Sequence, residues 1–224
     1  MLPNRLAALL FLPMLVFADD TWKNKRAAEW TEAETKRVLT DSPWCAMVTP
    51  TVKKEAPKQP GYRGPVIGGV PGMNRRRTDT QQQESQSGGS EEARPFNIRW
   101  ESALPVREAE LKAREATAPD VDETHYAIAI YGIPGRFAKP DARSLGEHLK
   151  GQASIKRENQ KDLKPSGVDV VEHDDGLVIV FLFPKTKEIS SQDSRAEFNA
   201  QIGPYQFTQS FHLDEMIYQG KPEL

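Results

Sequence analysis

The chain has 224 residues, with 30 lysines and arginines against 32 aspartates and glutamates, a formal net charge of −2. So even a balance gives no electrostatic footing for nucleic acid or for an anionic membrane surface. A single cysteine, Cys45, excludes an internal disulfide, so stability has to come from a packed core.

The first element is a leader. Arg5 precedes an apolar run from Leu6 to Phe17, and Val16 and Ala18 stand three and one residues ahead of Asp19-Asp20. A basic start, a short apolar stretch and small residues before a polar junction are the pattern of a cleavable secretory signal. A spanning helix would need about 20 apolar residues, so residues 1–18 are expected to be removed. The expected address is extracytoplasmic, periplasmic or secreted, with no integral membrane segment after cleavage.

Residues 19–54 read as an N-terminal arm. Thr31-Glu32-Ala33-Glu34 fits a capping box, so a helix is expected from Glu32 to about Thr40, stopped by Asp41-Ser42-Pro43. A helix this short is marginal alone. It is expected to dock on the main domain through Trp30, Val38, Leu39 and Trp44, with Trp22, Trp30, Trp44 and Trp100 as anchors and not sugar platforms. Cys45 to Val52 reads as an edge strand weakened by Pro50. The apolar neighbours of Cys45 predict an inert, high-pKa thiol. Residues 55–94 contain Gly-Gly-Val-Pro-Gly, Arg75-Arg76-Arg77, Gln81-Gln82-Gln83 and Ser-Gly-Gly-Ser, a composition that cannot build a core and reads as a linker or disordered loop.

Residues 95–224 carry the core domain. Phe96, Ile98 and Trp100 alternate with Asn97, Arg99 and Glu101, predicting a half-buried strand. Pro105 to about Ala116 predicts a helix with a modest apolar side of Val106, Ala109, Leu111 and Ala113. His125 to Ile133 reads as a central strand, and Ala142 to Leu149 as a second helix closed at Gly151. Val168–Glu172 and Leu177–Phe183 flank an Asp-Gly turn, a hairpin signal, with the second strand buried on both faces. Phe198, Ala200 and Ile202 alternate up to Gly203-Pro204, a type II′ turn, and Tyr205, Phe207 and Phe211 return. A short helical or irregular tail is expected around Asp214 to Tyr218. The fold class is α+β: a two-layer domain with a mixed, mostly antiparallel β-sheet and two or three short helices on one face.

Chemistry is harder to find. No two histidines have the spacing of a metal-binding helix, no Gly-x-Ser-x-Gly elbow is present, and no phosphate loop or other cofactor motif appears. The catalytic residues are therefore unassigned and no cofactor is expected. The one constellation worth testing is His173, Asp174 and His212, which would meet as metal ligands if two hairpins lay side by side. The leading expectation is an exported non-catalytic extracytoplasmic module that binds a protein or envelope component. The alternative is an exported hydrolase, metal-assisted or otherwise, using His173, Asp174 and His212.

Overall fold

The computed structural model describes residues 20–53, 94–115, 118–138, 141–158, 160–173, 176–186, 189 and 193–224. The leader at 1–18, Asp174 and nearly all of the segment expected as a linker lie outside these residues; Arg94 alone of that segment lies within them.

Eleven strands and three α-helices are described, and every strand pairing is antiparallel. The α+β class read from the sequence is the one found, with its strands divided between two main sheets. The first sheet has the order β1-β3-β4-β7-β6: β1 (Cys45–Val48), β3 (Phe96–Trp100), β4 (His125–Ile133), β7 (Gly176–Pro184) and β6 (Gly167–His173). The second runs β2-β9-β8-β5: β2 (Thr51–Val52), β9 (Tyr205–His212), β8 (Arg195–Ile202) and β5 (Ala153–Arg157).

Period-two burial explains how the sheets meet. Phe96, Ile98 and Trp100 of β3 share a face with Tyr126, Ile128 and Ile130 of β4 and Ile179, Phe181 and Phe183 of β7. That face meets Phe198, Phe207 and Phe211 of the second sheet through edge-on ring contacts, Phe96–Phe207 at 5.4 Å, Trp100–Phe211 at 5.0 Å and Phe181–Phe198 at 5.4 Å. Edge-to-face aromatic pairs contribute about 0.5–1.5 kcal/mol each beyond the area they bury.

Several expected elements are found with altered bounds. The stretch Cys45 to Val52 is two strands, not one: β1 ends at Val48, and β2 resumes at Thr51 in the other sheet. Pro50 has no N–H to give a ladder, so the chain leaves one sheet edge there and joins another. The helix begun at Pro105 runs as α2 (Leu104–Ala113) and stops short of Ala116, because Arg114 takes a left-handed conformation (φ 57°). In place of a helical or irregular tail, the chain ends in a small hairpin, β10 (Ile217–Tyr218) with β11 (Lys221–Pro222). Strand β5 has no counterpart in the sequence reading.

The capping box forms as read. Thr31 accepts from the Glu34 N–H and the Glu34 carboxylate accepts from the Thr31 N–H, opening α1 (Glu32–Thr40). Glu34 also binds Lys25 at 2.6 Å, and the Lys25 hydrogen bond, helped by the Thr31 N–H, brings its carboxyl down to about 2. All four tryptophans are buried. Trp22 packs on Trp30 and Trp44, and Trp30 on Tyr218 of the terminal hairpin. The Trp44 indole N–H donates to the Glu223 carbonyl, so the Trp22–Trp44 segment and the C-terminal hairpin close on one cluster.

Helix α3 (Ala142–Lys150), capped by the Asp141 carboxylate on the Ser144 N–H, lies on β6. It approaches closely because Gly146 has no side chain: a Cβ there would stand 2.7 Å from the Val168 carbonyl oxygen. Alanine is the better helix former by about 1 kcal/mol, so Gly146→Ala would stabilise a helix free of neighbours. Here the clash prevails, and a net loss of about 1–3 kcal/mol is expected in urea unfolding. A gain in stability would show that α3 does not sit this close to β6.

Candidate functional site

Strand β3 turns Phe96, Ile98 and Trp100 toward the second sheet, which leaves Asn97 and Arg99 on the opposite face. Helices α1 and α2 cover that face. The Asn97 amide donates to the Leu39 carbonyl at the end of α1. On α2, Val106, Ala109 and Glu110 are buried together, the i, i+3, i+4 spacing of one helical stripe. The stripe therefore includes a glutamate, whereas Leu111, expected on the apolar side, is 79% exposed.

Glu110 is buried because Arg99 lies beneath it. The Arg99 guanidinium, 6% exposed, donates from Nη1 to Glu110 Oε1 at 3.3 Å. Nη1 and Nη2 also reach the two Glu115 oxygens at 2.6 and 3.4 Å. Tyr131 of β4 lays its ring on the guanidinium at 4.2 Å. Its hydroxyl donates to Glu101 Oε1 at 2.8 Å and approaches Glu110 Oε1 at 3.1 Å.

The carboxyls cannot all be ionised. Glu101 is 1% exposed, and burial first, then the neighbouring Glu110, pushes its carboxyl well above the ordinary range against the pull of Arg99 and Tyr131. Burial raises Glu110 as well. Two carboxyls this close inside the protein retain one proton between them. Glu101 Oε2, which finds no donor among the described residues, is the atom placed to carry it. Burial also pushes up the Tyr131 phenol and the Cys45 thiol, so neither is a nucleophile near neutral pH, and for Cys45 this agrees with the inert thiol read from sequence. Burial opposes the charge of Arg99, but its hydrogen bond to the Glu115 carboxylate, with the other acidic groups around it, outweighs that.

Above this cluster the two helices leave a cavity of about 420 Å³, within the range of small-ligand pockets. Its walls come from α1 (Glu32, Thr35, Lys36, Leu39, Thr40) and from Lys112, Ala113 and Glu115, with Arg99 also lining it. The hydroxyls that line it are already committed. Thr35 donates to the Thr31 carbonyl and Thr40 to the Lys36 carbonyl. The Lys112 ammonium is held by the carbonyls of Ala27 and Ala28. The cavity therefore offers the cations of Arg99, Lys36 and Lys112, the carboxylates of Glu32 and Glu115, and apolar walls.

The residues singled out in the sequence stand elsewhere. His173 is at the β6–β7 hairpin, paired with Gly176. His212 closes β9, paired with Arg195. The ring contacts of Phe96 with Tyr205 and of Trp100 with Phe211 fix how the sheets align. They put the β6–β7 turn at the Tyr205 end of the sandwich and His212 at the other end. Asp174 lies outside the described residues, among which no group of three or more His, Cys, Asp or Glu side chains could hold a metal ion. None of the described helices is long and apolar enough to cross a membrane. Arg99, Glu101, Glu110, Glu115 and Tyr131 were not marked out by any motif; the available signal was a glutamate inside the Val106–Ala109–Ala113 stripe. Comparison with known protein families, curated proteins and solved structures gives no match.

The retained proton has a thermodynamic signature. A carboxyl raised in the folded state exacts no penalty below its unfolded pKa of about 4.3, and stability falls as pH climbs toward the folded value. Glu101→Gln keeps the shape, cannot ionise and can donate to Glu110. The variant is expected to match the wild type in thermal unfolding near pH 4 and to gain on it as the pH rises above the unfolded value. A stability difference that does not change with pH would contradict the buried proton.

Proposed function

We propose that this chain is an exported, non-catalytic extracytoplasmic module that binds a protein or envelope component, and that it does so at the cavity between α1 and α2. The observation that carries the reading is a cavity of ligand size with an enclosed guanidinium in its lining and hydroxyls that are spent on helix carbonyls. Catalysis needs a group that can reach substrate and exchange a proton. The strongly perturbed carboxyl, Glu101, is sealed beneath the helices and does not line the cavity. The positions of His173 and His212 lend no support to the hydrolase alternative. The address rests on the leader sequence, and the partner class on the absence of a nucleic-acid charge pattern.

The test uses the full chain with its leader and a photo-crosslinking amino acid at Lys36, an exposed cavity position. The expected result is mature chain in the extracytoplasmic fraction, starting near Asp19, with a discrete adduct at position 36. Ala113→Trp, which fills the cavity, should abolish the adduct while the protein stays folded by circular dichroism. Retention of the leader in the cytoplasm would overturn the address. An adduct indifferent to Ala113→Trp would overturn the site.

A further inference from the structure

We propose that the α1–α2 cavity takes a ligand bearing a carboxylate on a short apolar body, and that this carboxylate replaces Glu115 on Arg99. The inference rests on the reading of the cavity as a binding site and names the chemistry it recognises.

Arg99 has two unlike partners. Glu110 is 4% exposed, fixed in the middle of α2 and enclosed with Glu101 and Tyr131, so it is a permanent neighbour. Glu115 is 27% exposed, and it lies one residue beyond Arg114, where α2 has ended. Only its N–H, bonded to the Glu110 carbonyl, ties it back to the helix. The carboxylate of Glu115 thus sits at the cavity wall on a residue outside the helix, with water on one side.

The geometry it satisfies is that of any carboxylate. A guanidinium presents parallel N–H groups that match two carboxylate oxygens, and Glu115 uses the fork unevenly, at 2.6 and 3.4 Å. Arg99 Nε finds no hydrogen-bond partner among the described residues, so the guanidinium has donor capacity that Glu115 leaves unused. Exchange also conserves charge. The Glu101–Glu110 pair with its one proton balances Arg99, and an incoming carboxylate takes over the charge that Glu115 carries out to water. Leu39 and Ala113 supply apolar surface for the rest of the ligand.

The experiment follows the Arg99 Nε–H and the Ala113 amide by ¹⁵N NMR of the full chain during titration with sodium hexanoate or neutral hexanamide. Hexanoate is expected to shift both signals in the wild type and to bind Glu115→Ala about tenfold more tightly, since the competing carboxylate is gone. Glu115→Gln, which keeps the volume, should show the same direction of change. Hexanamide should bind neither protein measurably. Equal binding of acid and amide would overturn the carboxylate class while leaving the cavity as a binding site. Shifts of the Ala113 amide without tighter binding in either Glu115 variant would overturn the exchange. No shift with either probe would overturn the inference, and the cross-link at position 36 would then decide by itself whether the cavity binds anything.

Discussion

A guanidinium taken out of water needs its charge matched and its N–H groups occupied, and the arrangement around Arg99 follows from that requirement. Leaving an ion unpaired inside a protein costs several kcal/mol even after relaxation. Arg99 reaches its buried position because β3 must turn alternate residues to opposite faces. Once Phe96, Ile98 and Trp100 are committed to the aromatic interface between the sheets, Arg99 is committed to the other side. The helix that covers it has to bring an acid, which is why α2 buries Glu110 and exposes Leu111. Tyr131 and Glu101 complete the enclosure, and the surplus negative charge is removed by a proton.

This view also explains which parts of the molecule were legible in the amino-acid sequence. Elements set by local chemistry were readable: the Thr31–Glu34 capping box, the Gly203-Pro204 turn with Gly203 at φ 56°, and β7 with its run from Leu177 to Phe183. Elements set by what lies across from them were not. The pattern of Phe96 to Glu101 reports two faces but not that a helix pair covers the polar one. Arg99 and Glu101 therefore read as solvent-facing. Strand β5 is short, with Lys156 exposed and Arg157 buried, and owes its place to pairing with β8. Pro50 signalled an edge, but it could not signal that the chain changes sheets there.

The same distinction governs the candidate site. Motif reasoning favours residues adjacent in sequence, such as His173-Asp174, and turn chemistry already accounts for much of that segment. The cluster that forms draws on β3, the turn after it, α2, Glu115 two residues past its end, and β4. No spacing rule joins those positions. A glutamate on the buried side of a helical stripe was the one clue, and its meaning depends on knowing that an arginine faces it.

Glu101 and Arg99 divide the work. The enclosed carboxyl maintains the charge balance of the fold, whereas Arg99 and Glu115 meet the cavity. The most direct measurement is a ¹³C NMR titration of the glutamate side-chain carboxyls, with Glu101→Gln assigning the signal. The account predicts that one glutamate titrates well above the ordinary carboxylate range, and that its signal vanishes in the variant. If every glutamate carboxyl instead ionises in the ordinary range around pH 4, the Glu101–Glu110 pair holds no proton and the account fails.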